Sequence, residues 1–104
     1  MQSPTTILEA VATVFPVTPA DILGPRRRKN ESESRHLAMW LCHSELRMSN
    51  SQVAKVFNRD TSATVASRRA FLRFYETDRQ YRGMADSVIA TLGAGKPVIE
   101  KEAA

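Results

Sequence analysis

The sequence has little cysteine, little glycine and no long apolar run, and each shortage excludes a class of protein. Its single cysteine, Cys42, excludes an internal disulfide framework and is typical of a reducing cytoplasm. Its four glycines are scattered, so they form no glycine-rich phosphate-binding loop. No apolar run approaches the roughly 18 residues that span a bilayer, and MQSPTTILEA has no basic segment before its apolar stretch. We therefore expect a cytoplasmic protein without a membrane span or a secretory signal.

Metal-binding and catalytic patterns are missing as well. His36, Cys42 and His43 lack the repeated and regularly spaced Cys/His pairs of zinc sites, and Cys42 is expected in the core. The carboxylates of Glu31 and Glu33 lie in a polar stretch with no pocket around them. We therefore expect no metal, no cofactor, no catalytic residue and no enzymatic activity.

The residues that are present describe one globular domain with a mild basic excess. The chain has 104 residues, of which 42% are hydrophobic and 25% charged, as in ordinary soluble domains. Its net charge is +4 and its isoelectric point is near 9.7. An excess of this size favours an anionic partner such as nucleic acid only where the charge is clustered.

Apolar residues recur at helical spacing, which predicts an all-α fold of about five to six helices with no strand. Cap residues and proline or glycine breaks set the expected limits of these helices. We predict helices from Ser3 to about Phe15, over residues 19–23, from about Ser32 to Leu46 or Met48, from Ser49 or Asn50 to Phe57, from Thr61 or Ser62 to about Tyr75, and from about Asp78 to Leu92. Residues 1–92 are expected to form one domain, and residues 93–104 a flexible C-terminal tail.

Two short predicted helices flank the turn Asn58-Arg59-Asp60, which is the pattern of a helix-turn-helix. The second helix opens with short hydroxyl and methyl side chains that fit the major groove of DNA: Thr61, Ser62, Ala63, Thr64 and Ser67. Basic residues form two clusters. Arg26, Arg27, Arg28 and Lys29 lie in an expected exposed and mobile loop, with Arg35 at the start of the next helix, and Arg68, Arg69 and Arg73 lie on the second helix of the motif. Cations for phosphates and short side chains for base edges together predict a DNA-binding protein.

The order of these segments resembles the C-terminal DNA-binding domain of the bacterial replication initiator DnaA, a Trp-repressor-like helix-turn-helix also called domain IV. The likeness begins with a helix ending in Phe15-Pro16-Val17, followed by the short Asp21-Ile22-Leu23 helix and the basic loop. The stretch from Arg35 to Leu41 is similar to the family's Arg-Gln-(hydrophobic)-Ala-Met-(x)-Leu helix, and Ser51 to Phe57 to the first helix of its helix-turn-helix. The resemblance covers about residues 6–75 and runs without gaps from Leu23 to Val65.

The resemblance implies a set of DNA-contacting positions. Arg27 stands at a minor-groove arginine of the family, and Arg35 at an arginine whose neighbouring glutamine is here His36. The family's base-reading His-Thr-Thr triplet corresponds to Ser62, Ala63 and Thr64. Thr61 replaces an aspartate before that triplet, Ser67 stands at a later histidine, and Arg68 at a small buried residue. The predicted DNA-binding residues are Arg26, Arg27, Arg28, Arg35, His36, Thr61, Ser62, Ala63, Thr64, Ser67 and Arg68.

The function that these features imply is a stand-alone, sequence-specific, double-stranded DNA-binding protein of a bacterium or phage. It is expected to be nucleoid-associated and to regulate replication initiation or transcription without ATPase activity, because no P-loop is present. The altered triplet implies a target sequence different from the family's usual box. Homodimers or arrayed sites would strengthen its binding. The alternative is a protein-protein interaction module that kept the helix-turn-helix fold but lost specific DNA readout.

Overall fold

The computed structural model describes residues 2–98 and places six helices there. They are α1 (Pro4–Val14), α2 (Pro19–Leu23), α3 (Lys29–Leu46), α4 (Asn50–Phe57), α5 (Thr61–Thr77) and α6 (Arg79–Leu92). No strand occurs among residues 2–98, so the prediction of an all-α fold is confirmed. None of the helices in this part of the chain is both long and apolar enough to cross a membrane.

Side-chain caps fix the starts of most helices. The Ser3 hydroxyl accepts a hydrogen bond from the Thr6 amide at the start of α1. Reciprocal capping boxes begin α2 and α4: Thr18 with Asp21, and Ser49 with Gln52. Each box satisfies amide groups that have no partner inside the helix. These starts agree with the prediction because the cap signal is contained in three or four consecutive residues.

Two helix starts were predicted wrongly, and both lack a side-chain cap. Helix α3 begins at Lys29 rather than at about Ser32, so the polar stretch predicted as loop is its first turns. Glu31 and Ser34 are buried there although no apolar residue marks the segment. Asp60, and not Thr61 or Ser62, occupies the N-cap of α5, and its side chain makes no capping hydrogen bond.

The core is built around α3, which contacts α1, α2, α4 and α5, while α6 packs against α1 and α5. Aromatic rings join these helices. The rings of Phe15 and Tyr81 meet edge to face with centroids 5.9 Å apart, and the ring of Trp40 stacks on that of Phe71 at 4.7 Å. Cys42 is 0% exposed and burial raises its pKa to about 12, which confirms its predicted place in the core.

The segment after α6 is the predicted tail. Of residues 93–104, residues 99–104 lie outside the described residues. Residues 93–98 have no regular secondary structure, yet Ala94 packs against the core and the Lys96 ammonium lies 3.7 Å from an Asp86 carboxylate oxygen. This stretch therefore runs along the end of α6. The flexibility of the tail stays a prediction.

Candidate nucleic-acid interface

Helices α4 and α5 and the turn between them form a helix-turn-helix. Helix α4 ends at Phe57, and Asn58 adopts the left-handed conformation with φ 52°. Asparagine is one of the few residues that enter this region readily, so the chain reverses within Asn58, Arg59 and Asp60. Helix α5 then starts at Thr61 and packs against α4. This geometry confirms the motif that the sequence predicted.

The two faces of α5 differ in chemistry. Side chains three, four or seven positions apart share one face of a helix. The buried face carries Thr64, Ser67, Phe71 and Tyr75, and the exposed face carries Ser62, Ala66, Arg69 and Arg73. The surface that α5 presents to a ligand is therefore small and polar at its N-terminal end and cationic further along.

A groove of about 580 Å³ runs between α5, the start of α3 and the loop before α3. This loop, residues 24–28, is called the basic loop, and its Arg26, Arg27 and Arg28 are exposed as predicted. Among residues 2–98, five arginines and no acidic residue line the groove; the arginines are Arg27, Arg35, Arg59, Arg69 and Arg73. Such a concentration of cations attracts an anion with closely spaced charges, such as a phosphate backbone.

Arg35 lies beneath the basic loop and is only 5% exposed. Its Nε donates to the Ile22 carbonyl at 2.7 Å, and its Nη2 lies 3.2, 2.9 and 3.0 Å from the carbonyl oxygens of Asp21, Gly24 and Arg26. Burial lowers the pKa of Arg35, and the positive charges of Arg59 and Arg27 lower it further. The Nε and Nη2 of Arg35 are thus bound to backbone carbonyls instead of projecting into solvent, while a DNA contact by this residue stays a prediction.

His36 lines the groove as a neutral hydrogen-bonding group. Its Nδ1 shares a hydrogen bond with the Ser67 hydroxyl at 2.6 Å, and its ring stacks on Phe74 with centroids 6.1 Å apart. Burial lowers the pKa of His36 to about 4, helped by the positive charges of Arg35 and Arg73. At neutral pH the ring is therefore uncharged, so it supplies polarity but no cation for DNA.

Thr64 and Ser67 lie on the buried side of α5. Thr64 is 0% exposed, and its hydroxyl donates to the Thr61 carbonyl at 2.7 Å. Ser67 is 6% exposed, borders the groove and is bound to His36. Neither side chain projects from the exposed face of α5, which differs from the direction predicted for them, because α5 packs on the core through this side. Of the predicted hydroxyl cluster, Thr61 and Ser62 are exposed, and Ala63 is half-buried in the groove wall.

Arg68 lies on the flank of α5 that faces away from the groove, and this corrects its predicted place on the reading face. It is half-buried, and its Nε has no hydrogen-bond partner in the part of the chain that the structure describes. Leu72, four residues further on the same flank, is 41% exposed. The resemblance implied a small buried residue here, and the position is indeed partly buried although it holds an arginine.

Comparison with known proteins identifies the family. A family model described as the bacterial DnaA protein helix-turn-helix matches residues 4–70. The chain belongs to this family. Among its relatives is the chromosomal replication initiator protein DnaA 1 of Chlamydia trachomatis, 33% identical over 76 residues, which are 73% of this chain and 17% of that protein.

Two further relatives are similar over comparable stretches. DnaA 2 of Protochlamydia amoebophila is 30% identical over 91 residues, 86% of this chain and 20% of that protein. DnaA of Aquifex aeolicus is 39% identical over 59 residues, 57% of this chain and 15% of that protein. The chain thus spans a fifth or less of the length of these DnaA relatives. Its match lies in the DNA-binding helix-turn-helix domain of the DnaA family.

Three arginines of the groove were absent from the predicted DnaA-type site: Arg59, Arg69 and Arg73. Arg69 and Arg73 lie seven and eleven positions after Ser62, so helical spacing from an exposed Ser62 could have placed them on the same face. Arg59 had no such signal. Its Nη2 donates to the Gly24 carbonyl at 2.6 Å, a contact between residues 35 positions apart that depends on the tertiary fold.

Proposed function

We propose that the chain is a sequence-specific double-stranded DNA-binding protein that uses the exposed face of α5 and the basic loop. The observation that carries this proposal is the groove beside the second helix of a DnaA-type helix-turn-helix, which five arginines line and which no acidic residue of the described part of the chain lines. Arginine binds phosphate oxygens through charge-assisted hydrogen bonds. When one DNA strand lies along this groove of the protein, α5 faces the major groove of the duplex. The basic loop then faces the neighbouring phosphate backbone or the minor groove of the duplex.

Three side chains on the exposed face of α5 supply the base contacts. Ser62 offers a hydroxyl, Ala66 a methyl group and Arg69 a guanidinium. An arginine donates two hydrogen bonds to O6 and N7 of guanine, and an alanine methyl packs against the methyl of thymine. The expected site therefore contains a guanine read by Arg69 and a neighbouring thymine. Since Thr64 and Ser67 are buried, this site differs from one read through hydroxyls at those positions.

Selection of bound sequences from a random duplex pool, at about 50 and about 200 mM salt, tests the proposal. One motif should be enriched, with weaker binding at the higher salt. Arg69→Ala should lose the preference for the guanine that Arg69 reads, and the binding free energy for the selected motif should weaken by about 1–3 kcal/mol. Thr64→Val is the matched control in the same helix. Its side chain is 0% exposed, so the selected motif should not change.

Other outcomes of the selection contradict the proposal in different ways. Salt-sensitive binding without an enriched motif would mean that the protein binds duplex DNA without sequence preference. No binding at either salt would favour the alternative of a protein-protein interaction module. A motif that changes with Thr64→Val would mean that α5 presents its other face to DNA.

The biological role that fits this family is regulation at a DNA site, at a replication origin or a promoter. The relatives are named as chromosomal replication initiators, and this chain covers a fifth or less of their length. We infer that the domain acts by occupying sites, and that neighbouring copies of a site strengthen its binding through contact between two bound domains, because the second binding event is then intramolecular. Footprinting on duplexes that carry one or several copies of the selected motif tests this inference. Each copy should be protected at a lower protein concentration when other copies lie beside it.

A further inference from the structure

Two arginines from outside the basic loop hold its backbone. Arg35 in α3 donates to carbonyl oxygens on both sides of the loop's start: Asp21, Ile22, Gly24 and Arg26. Arg59 in the turn before α5 donates from Nη2 to the Gly24 carbonyl at 2.6 Å and from Nη1 to the Phe57 carbonyl at 2.7 Å. Both guanidiniums therefore meet at the Gly24 carbonyl.

The short helix α2 explains why a buried arginine is stable beneath the loop. A helix of five residues leaves its last carbonyl groups without partners inside the helix. The Arg35 guanidinium satisfies the Ile22 carbonyl, adds a second hydrogen bond to the Asp21 carbonyl that already accepts from the Gly24 amide, and lies at the negative end of the helix dipole. Four carbonyl oxygens thus replace the water that the buried charge has lost.

Arg59 connects the basic loop with the helix-turn-helix. It occupies the turn between α4 and α5, so its bond to Gly24 fixes the loop relative to the start of α5. Arg26, Arg27 and Arg28 extend from this fixed backbone into solvent. The loop and the exposed face of α5 are therefore held at one spacing before any ligand is present.

We propose that Arg35 and Arg59 are positioning residues that keep the basic loop in its DNA-binding conformation in the free protein. This inference rests on the proposed function, because it states how the loop and α5 are set to meet one duplex together. A loop that is already ordered pays less conformational entropy on binding, so the specific complex is strengthened. Lysine cannot replace either residue, because a single ammonium does not reach several carbonyls in the planar geometry of the guanidinium.

The variant Arg35→Lys separates this positioning role from charge, since the net charge stays the same. Backbone 15N relaxation in the free protein should report order parameters of about 0.8 for residues 26–28 in the wild type and below about 0.6 in the variant. The matched control is Arg82→Lys. Arg82 also donates to backbone carbonyls, those of Tyr75 and Glu76, but it lies in α6. Its substitution should leave the order parameters of the loop unchanged.

DNA binding supplies a readout that a general loss of stability does not reproduce. Affinity for the selected motif should fall about tenfold or more in Arg35→Lys, because the loop must be ordered on binding. Affinity for random duplex DNA should change less than about twofold, because the substitution keeps a positive charge at position 35 and leaves every other cation of the groove and the loop in place. Unfolding would weaken both together and would be visible as lost helical signal in circular dichroism.

Two results would overturn the proposal: a loop that stays rigid in Arg35→Lys, or a loosened loop with an unchanged ratio of specific to random affinity. If Arg35→Lys does not fold, Arg59→Lys gives the same test with a half-buried residue, and the same changes are expected at smaller size. Wild-type protein without any preferred sequence would instead overturn the proposed function, while the relaxation data would still decide whether the arginines hold the loop.

Discussion

His36 shows how a single partly buried side chain makes stability depend on pH. Its pKa is lowered from 6.5 to about 4, so between these values the unfolded chain binds a proton that the folded protein does not. The folded protein is therefore most stable above about pH 6.5, where His36 is neutral in both states, and its free energy of unfolding falls as the pH is lowered toward 4. Between about pH 7.5 and pH 5 the free energy of unfolding should fall by at most about 2 kcal/mol from this residue. Urea denaturation across that range measures the change.

The control for this prediction is His36→Gln, which keeps a hydrogen-bonding group near Ser67 and removes the titration. The variant should lose most of the pH dependence between about pH 7.5 and pH 5. An unchanged pH dependence in His36→Gln would contradict the inference and would assign the effect to another group.

The identities of the site residues were easier to predict than the directions of their side chains. Five short side chains cluster near the start of α5, and sequence alone does not say which of them face the core. Packing on α3 turns Thr64 and Ser67 inward and leaves Ser62 exposed. Arg35 was predicted as a DNA contact from the basic cluster and from the resemblance to the DnaA domain, and neither of these says whether its side chain is buried. Its four carbonyl partners belong to another part of the fold.

At the scale of helices, the N-termini of α4 and α5 give a matched pair. The Ser49 hydroxyl accepts from the Gln52 amide, and the Gln52 side chain accepts from the Ser49 amide. Asp60 occupies the equivalent place before α5 without a capping hydrogen bond. Ser49→Ala should therefore lower the free energy of unfolding by about 1 kcal/mol, measured by urea denaturation. Asp60→Ala should cost about 0.5 kcal/mol or less, from the helix dipole alone.

Asp60 also has a second expected effect that Ser49 does not share. In the proposed complex the N-terminal end of α5 approaches the duplex, and Asp60 places a negative charge there. Asp60→Ala should therefore bind random duplex DNA more tightly than the wild type. Equal losses of stability in the two alanine variants would mean that Asp60 caps α5 in solution.

Helix limits followed from the sequence where the signal is local and were missed where it is not. The caps at Ser3, Thr18 and Ser49 each lie within four residues of their partners, so the starts of α1, α2 and α4 were predictable. The start of α3 at Lys29 was not, because its first turns are polar and are held by contacts with distant segments. The Tyr81 hydroxyl, for example, donates to the Glu33 carbonyl at 2.8 Å from α6.

Across the whole molecule, the distribution of charge matters more than its sum. The chain has 15 lysines and arginines against 11 acidic residues, a net charge of only +4. Five of the arginines line one groove, and no acidic residue among residues 2–98 lines it. These arginines come from distant parts of the chain, between positions 27 and 73. Folding therefore concentrates a modest excess on one side. The sequence predicted the two basic clusters but not their meeting with Arg59, which requires the tertiary structure.

This asymmetry predicts how DNA binding responds to salt. Each phosphate that a protein neutralises contributes about 0.9 to the slope of log affinity against log salt, so about six contacts give a slope near −5. Arg73 is exposed at the far end of the groove, where we expect a phosphate contact. Arg73→Ala should make the slope shallower by about 0.9 and weaken all duplexes equally, without changing the selected motif.

Arg79 provides the control on the same charge scale. It is exposed at the start of α6 and does not line the groove, so Arg79→Ala removes one positive charge elsewhere on the surface. Fluorescence anisotropy titrations between about 50 and about 200 mM salt should give the wild-type slope for Arg79→Ala and the shallower slope for Arg73→Ala. Arg79→Ala should have no effect because charges separated by more than about 10 Å are largely screened from each other at these salt concentrations. Equally shallow slopes in the two variants would mean that DNA responds to the net charge of the molecule and not to the groove.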